Sequence, residues 1–276
     1  MLRTRVITAV VLLALTGGAA ARGSTALLEL LALLVAIAMY EWMRLAGCGL
    51  VTSTGAAVTY GALLVLSTAF DVRAPAHAGA AVSLVACALW CAAGAAVAGA
   101  ERGRFKIGRG ASMILAVALL SAGWIALDSL LQRGVPWLVS VLSVVWIADI
   151  AAYFTGRALG RHKLAPRVSP GKTWEGAWGA LAFVTVAALV VHGLWPEARV
   201  WSNRLLSELA WPLALAALWA LVALSIVGDL FESLLKRQAQ VKDSGWLLPG
   251  HGGVLDRIDA TLPALPAAVL IDWWTR

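Results

Sequence analysis

Charge is what this chain has least of. Only 13% of its 276 residues are Asp, Glu, Lys or Arg, 61% are hydrophobic, and the mean hydropathy is +0.83. A soluble domain carries about 25% charged and about 45–50% apolar residues. A water-soluble fold of this composition would lack polar surface to cover itself, so the implied solvent is lipid. Cysteine is scarce too. Cys48, Cys87 and Cys91 form no CxxC pair and no Cys/His cluster, which argues against a disulfide framework or a structural zinc site. Cys87 and Cys91 share a helix face in an Ala-rich stretch and read as packing residues. No internal repeat is evident, and no Ser/His/Asp or Cys/His arrangement suggests a protein nucleophile.

What is abundant is apolar sequence in runs of membrane-spanning length, roughly 17–25 residues. They fall near 5–21, 25–43, 52–70, 77–99, 111–127, 135–155, 175–194 and 210–228, with a short ninth near 261–274 that contains Pro263, Pro266 and Asp272. The first follows Arg3 and Arg5 and ends in small residues, as a signal peptide does; with so many spans behind it, it reads as a first transmembrane helix. A cytoplasmic N-terminus puts most of the 22 Lys and Arg inside, leaving Arg22, Arg73, Arg133, Arg199, Arg204 and Arg276 outside. The positive-inside rule supports that topology. The net charge of +7 suits anionic lipid and an anionic substrate. The expected fold is therefore all-α: a polytopic integral membrane protein of about nine transmembrane helices with its N-terminus cytoplasmic. Residues 1–134 read as scaffold and 135–276 as the catalytic region, with cytoplasmic motifs at 149–176 and 228–259.

Chemistry-bearing residues concentrate after position 145. Asp149 lies in or at the end of an apolar run, where an acid is costly and commonly faces a polar interior. Ser169-Pro170-Gly171-Lys172-Thr173 follows a basic stretch. Pro170 fixes a turn, Gly171 permits close backbone approach, and Lys172 and Thr173 are expected to open a helix whose free N–H groups favour phosphate. A P-loop is excluded: Pro166 stands where that motif needs its first Gly, and no strand is expected ahead of it.

A second cluster begins where a long apolar run ends at Asp229. Asp229, Ser233, Lys236 and Arg237 fall on one helix face, offering a carboxylate for a hard cation and two cations for phosphate. Lys242, Asp243 and the loop Pro249-Gly250-His251-Gly252-Gly253 follow, then Asp256, Arg257 and Asp259. In a helix, Asp256 and Asp259 would sit close enough to share a metal. Acids for Mg²⁺ among bases for phosphate suit phosphoryl chemistry. A Mg²⁺-dependent hydrolase, a CTP-using lipid kinase and an ion transporter with Asp149 and Asp229 in its path share parts of this pattern.

The run Ser233–Asp259, Ser-x-Leu-Lys-Arg-x4-Lys-Asp-x-Gly-x2-Leu-Pro-x-His-Gly-Gly-Val-x-Asp-Arg-Ile-Asp, resembles the signature of the phosphatidate cytidylyltransferase (CDP-diacylglycerol synthase) family, and the segments Asp149–Tyr153 and Ser169–Gly176 resemble it too. The resemblance implies transfer of the cytidylyl group of CTP to phosphatidic acid at an inner membrane, with the active site facing the cytoplasm. It implies Mg²⁺ on Asp229 and Asp256 with Asp259 completing the shell, and a second cation such as K⁺. Asp229, Asp256, Lys236 and Arg237 are the expected catalytic groups. Asp149, Ser169, Lys172, Thr173, Ser233, Lys242, His251, Gly252, Gly253 and Arg257 are the expected substrate contacts. Expected partners are CTP, phosphatidic acid, membrane lipid and a second copy of the chain, with no nucleic acid. The lipid is expected to enter laterally between the 135–155 and 210–228 spans.

Overall fold

The computed structural model describes the backbone of residues 2–275 and the side chains of residues 6–275; the side chains of Arg3, Arg5 and Arg276 lie outside it. The order is α1 (Leu2–Arg22), α2 (Ser24–Leu45), α3 (Leu50–Ala69), α4 (Ala76–Glu101), α5 (Arg109–Leu131), α6 (Val135–Leu159), β1 (Lys163–Ala165), β2 (Ser169–Thr173), α7 (Trp174–Leu194), α8 (Trp201–Glu208), α9 (Trp211–Gln238), α10 (Leu255–Ile258) and α11 (Thr261–Trp274). Seven of these among the described residues, α2–α7 and α9, are long and apolar enough to cross a membrane. This is a polytopic, predominantly helical membrane protein.

The helices begin and end where local chemistry dictates. Pro136 and Pro212 occupy the first turns of α6 and α9, where the missing N–H costs nothing. Gly134, at φ 108°, turns the chain into α6. α9 has 28 residues, about 42 Å at 1.5 Å per residue. That exceeds a hydrocarbon core of about 30 Å, so its last turns, which carry Asp229–Gln238, can stand at the membrane surface.

The last expected span is a helix of only 14 residues, about 21 Å, and too short to cross alone. Leu262–Val269 are buried, and α11 packs on α4, α5 and α9 as a core element. In the 160–173 connection the expectation fails. Instead of a loop leading directly into a helix, β1 and β2 form an antiparallel hairpin with Lys163 opposite Thr173 and Ala165 opposite Ser169. Lys172 is a strand residue. Thr173 is the N-cap of α7, its Oγ1 accepting from Gly176 N at 3.1 Å. A strand does therefore precede Gly171, but in a hairpin with Pro166 at the turn, which is not a P-loop.

Small residues let α6 and α7 approach closely. A Cβ on Gly176 would lie 2.8 Å from Ala152 O, and one on Gly156 would lie 2.9 Å from Thr173 Oγ1. Behind the functional end of α9, Phe231 packs edge-on against Trp90 (5.8 Å between centroids) and tilted against Trp42 (6.1 Å), fixing α9 to α4 and α2.

The connections sort onto two faces. Ile107 N donates to Gln238 Oε1, Arg167 N to Glu101, and Thr8 Oγ1 to Pro249 O, which gathers the α4–α5, α6–α7 and α9–α11 connections and the start of α1 on one face. On the other, Arg133 and Arg204 meet Asp272 at 2.7 and 3.8 Å.

Candidate active site

On the first face, α6, the hairpin, the start of α7, the end of α9 and the 243–259 segment enclose a cavity of about 830 Å³. Of the residues singled out from sequence, Asp149, Lys172, Thr173, Asp229, Lys236, Asp256, Arg257 and Asp259 line it. The hairpin brings Lys172 across to α9, where its Nζ lies 2.6 Å from Asp229 Oδ2. Ser233 Oγ, one turn further along α9, donates to Asp229 Oδ1 at 3.5 Å. Lys236 Nζ pairs with Asp256 Oδ1 at 2.6 Å and with Glu232 on its own helix.

Asp256 is held by its own loop. Its Oδ2 accepts from Ser244 N (2.9 Å), Ser244 Oγ (3.0 Å) and Gly253 N (2.8 Å), leaving Oδ1 to face Lys236. Burial works to raise this carboxyl, but Lys236 and the N–H of Gly253 outweigh it and hold Asp256 down at about 2. Asp259 goes the other way: burial, and then the neighbouring Asp229 carboxylate, push it above the usual carboxylate range. Two carboxylates set against each other in a confined space favour a cation between or beside them.

The remaining expected contacts stand elsewhere. Arg237 leaves the cavity and donates from Nε to Val168 O at 3.2 Å, tying α9 to the hairpin. Ser169 pairs within the hairpin, and Lys242 is exposed outside the cavity. His251 accepts through its carbonyl from Arg257 at 2.8 Å. Gly252, at φ +82°, and Gly253 wrap Asp256: a Cβ on Gly252 would lie 2.6 Å from Asp256 Oδ2.

A sequence model of the cytidylyltransferase family matches residues 3–273. The chain belongs to that family. It is similar to a phosphatidate cytidylyltransferase of Pseudomonas aeruginosa, 40% identical over 282 residues that cover 99% of this chain and 97% of that protein. It is also similar to one of Brucella suis, 46% identical over 58% of this chain and 56% of that protein, and to one of Haemophilus influenzae, 46% identical over 49% and 44%.

In this member of the cytidylyltransferase family the cavity also recruits Tyr153, Arg157, Lys163 and Asp243, none of them among the catalytic groups or substrate contacts expected from the sequence. Arg157 and Lys163 add positive charge on the hairpin side, and the basic run they belong to was the available signal. Glu232, only 3% exposed, lies on the α9 face between Asp229 and Lys236 and was equally visible in the sequence. Glu41, on α2, gave no signal, yet it holds the loop that carries Asp256.

The donor set can be tested against a divalent cation. Lys172 Nζ on Asp229 and Lys236 Nζ on Asp256, each at 2.6 Å, mark two carboxylate oxygens in the cavity wall that accept a cation. Hard oxygen donors, few in number and beside bases that attract phosphate, are what Mg²⁺ needs when substrate phosphates complete its shell. The residues fit.

Proposed function

We propose that this chain is a phosphatidate cytidylyltransferase. A phosphate oxygen of phosphatidic acid attacks the α-phosphorus of CTP, and CDP-diacylglycerol and pyrophosphate form, a step of phospholipid biosynthesis. The observation that carries the reading is one cavity, at the surface end of membrane-length helices, whose wall holds both the Lys172–Asp229 and the Lys236–Asp256 pairs. A relative so named, similar along 99% of the chain, supports the choice of substrates.

Two polyanions must be brought together, so the work is positioning and charge neutralisation. Lys172 and Lys236, each able to leave its carboxylate for a phosphate oxygen, neutralise the triphosphate. Arg157, Lys163 and Arg257 extend the positive wall. Asp229 and Asp256, with Asp259 behind them, would hold Mg²⁺. When bound, that ion supplies Lewis-acid stabilisation of the charge developing on the phosphates. Thr173 orients the start of α7 through its cap, and the hairpin keeps Lys172 aimed at α9.

The cavity faces the cytoplasm of an inner membrane, where CTP is found. The basic connections gathered on that face support this, since Lys and Arg collect on the cytoplasmic side. Assembly as a homodimer belongs to the same proposal on the family resemblance alone, and the mass of the solubilised protein tests it.

The deciding assay uses purified protein in detergent with phosphatidic acid, Mg²⁺ and CTP labelled at the α-phosphate. Label should enter the lipid with an equal amount of pyrophosphate. CDP release with no label in the lipid would instead mean transfer of the γ-phosphate and a lipid kinase.

A further inference from the structure

The loop that presents Asp256 is fastened by a residue from the far end of the chain. Glu41, on α2, is 2% exposed. Its Oε1 accepts from Val254 N at 3.0 Å, and its Oε2 accepts from Leu255 N at 2.7 Å and from Ser244 Oγ at 3.1 Å. A buried carboxylate is tolerated only where donors surround it, and all three come from the 244–255 segment. Ser244 is shared: its hydroxyl is also 3.0 Å from Asp256 Oδ2. One hydroxyl has one proton, so Ser244 links Glu41 to Asp256 and serves one carboxylate at a time, while its backbone N–H stays on Asp256.

The loop is shaped around this contact. A Cβ on Gly253 would lie 2.5 Å from both Glu41 carboxylate oxygens, and one on Gly245 would overlap Oε1. On the loop's other side little packs against it. Trp246 is 87% exposed, and Ser244–Leu247 border a second cavity of about 770 Å³ between α2 and α3. Polar anchorage to α2 does what side-chain burial does elsewhere in the fold.

We infer that Glu41 is a positioning residue: it sets the 244–255 loop so that Asp256 and, through it, Lys236 meet the substrates in working geometry. The inference rests on the proposed reaction for its kinetic consequence. Its structural consequence stands without that reaction.

The test compares wild type with Glu41→Gln and Ser244→Ala, singly and combined, in purified protein. Glu41→Gln keeps the shape but turns an amide donor toward a backbone N–H. Turnover per folded molecule should fall about 100-fold, the scale of a misplacement of about 1 Å, with KM for phosphatidic acid within about threefold of wild type. The double variant should be little worse than Glu41→Gln, because both break one link. Trypsin cleavage after Lys242, read by mass, should quicken about tenfold or more at an unchanged thermal midpoint, as local opening of a loop does. Cleavage reports on the latch even if wild type transfers no label, which separates failure of this inference from failure of the reaction. Wild-type turnover with wild-type cleavage in Glu41→Gln overturns the inference. So does a loss that merely follows the folded fraction. Should Glu41→Gln not accumulate, Gly245→Ala perturbs the same contact from the loop side, and wild-type turnover and cleavage there overturn the inference equally.

Discussion

The helices before residue 134 and those after it are built from the same apolar material, yet they do different work. After residue 134, polar side chains point into one cavity: Asp149 from α6, Lys172 from the hairpin, Asp229 and Lys236 from α9, Asp256 and Asp259 from the last connection. Before it, two carboxylates reach across without entering that cavity. Glu41 on α2 takes the amides of Val254 and Leu255. Glu101, ending α4, takes the amides of Arg167 and Val168 in the hairpin at 2.7–3.1 Å. Each grips one of the two non-helical segments that carry site residues. The first half thus fixes loops while the other half supplies the groups that line the cavity, and two separate layers of substitution effects should result.

The largest effects belong to the cavity wall. Asp229→Asn removes the partner of Lys172, and Asp256→Asn sets an amide donor against the N–H groups of Ser244 and Gly253. Each should lower cytidylyl transfer by about 10³-fold or more, the scale of losing a main electrostatic contact in phosphoryl transfer. Protein in the membrane fraction should stay near wild type for Asp229→Asn, because that side chain does not hold a helix. Transfer within about threefold of wild type in either variant would remove that residue from the site and blur the boundary between the layers.

The gripping layer comes next. Glu101→Gln keeps one acceptor oxygen for the hairpin amides, and Glu101 is only partly buried. Its effect should be smaller than that of Glu41→Gln: a three- to tenfold fall in kcat/KM for CTP, about 1 kcal/mol for one weakened charge-assisted bond. It should appear mainly as a raised KM for CTP, since the hairpin carries Lys172 rather than the acids. A loss larger than that of Glu41→Gln would invert the order and make the hairpin, not the 244–255 loop, the more exacting element.

The contrast also explains what the sequence made legible. Asp229 stood out because an acid ended a long apolar run, and Asp256 and Asp259 because they followed a glycine-rich loop beside bases. Spacing on α9 placed Ser233 and Lys236 with them, and the structure keeps those neighbours together. Arg237 shared the same helical spacing but turns to Val168, because one further residue rotates it by about 100°. The hairpin was hidden: its strands have three and five residues, with Pro170 inside the second, and show no alternation to read. Glu41 was hidden for another reason. Within Met-Tyr-Glu-Trp-Met it looks like any acid near a helix end, and its Ser244 partner lies 203 residues away. Local pattern cannot report a contact of that separation.

The smallest expected effect sharpens the comparison most cheaply. Lys242 falls inside the signature stretch, so by pattern it ranks with Lys236. By position it does not: it is exposed and outside the cavity, while Lys236 lies between Glu232 and Asp256. A solvated charge contributes at most about 1 kcal/mol and is screened at physiological salt over about 8 Å. Lys242→Gln should therefore change kcat/KM for CTP by less than about fivefold, and the difference should shrink as salt is raised. Lys236→Gln should cost far more, because it strips the cation from a buried pair of carboxylates, and salt should not rescue it. If Lys242→Gln instead matches Lys236→Gln, insensitive to salt, the 243–253 loop must swing inward when CTP binds, carrying Lys242 to the phosphates. The hold of Glu41 on that loop would then be the hinge of a closing motion.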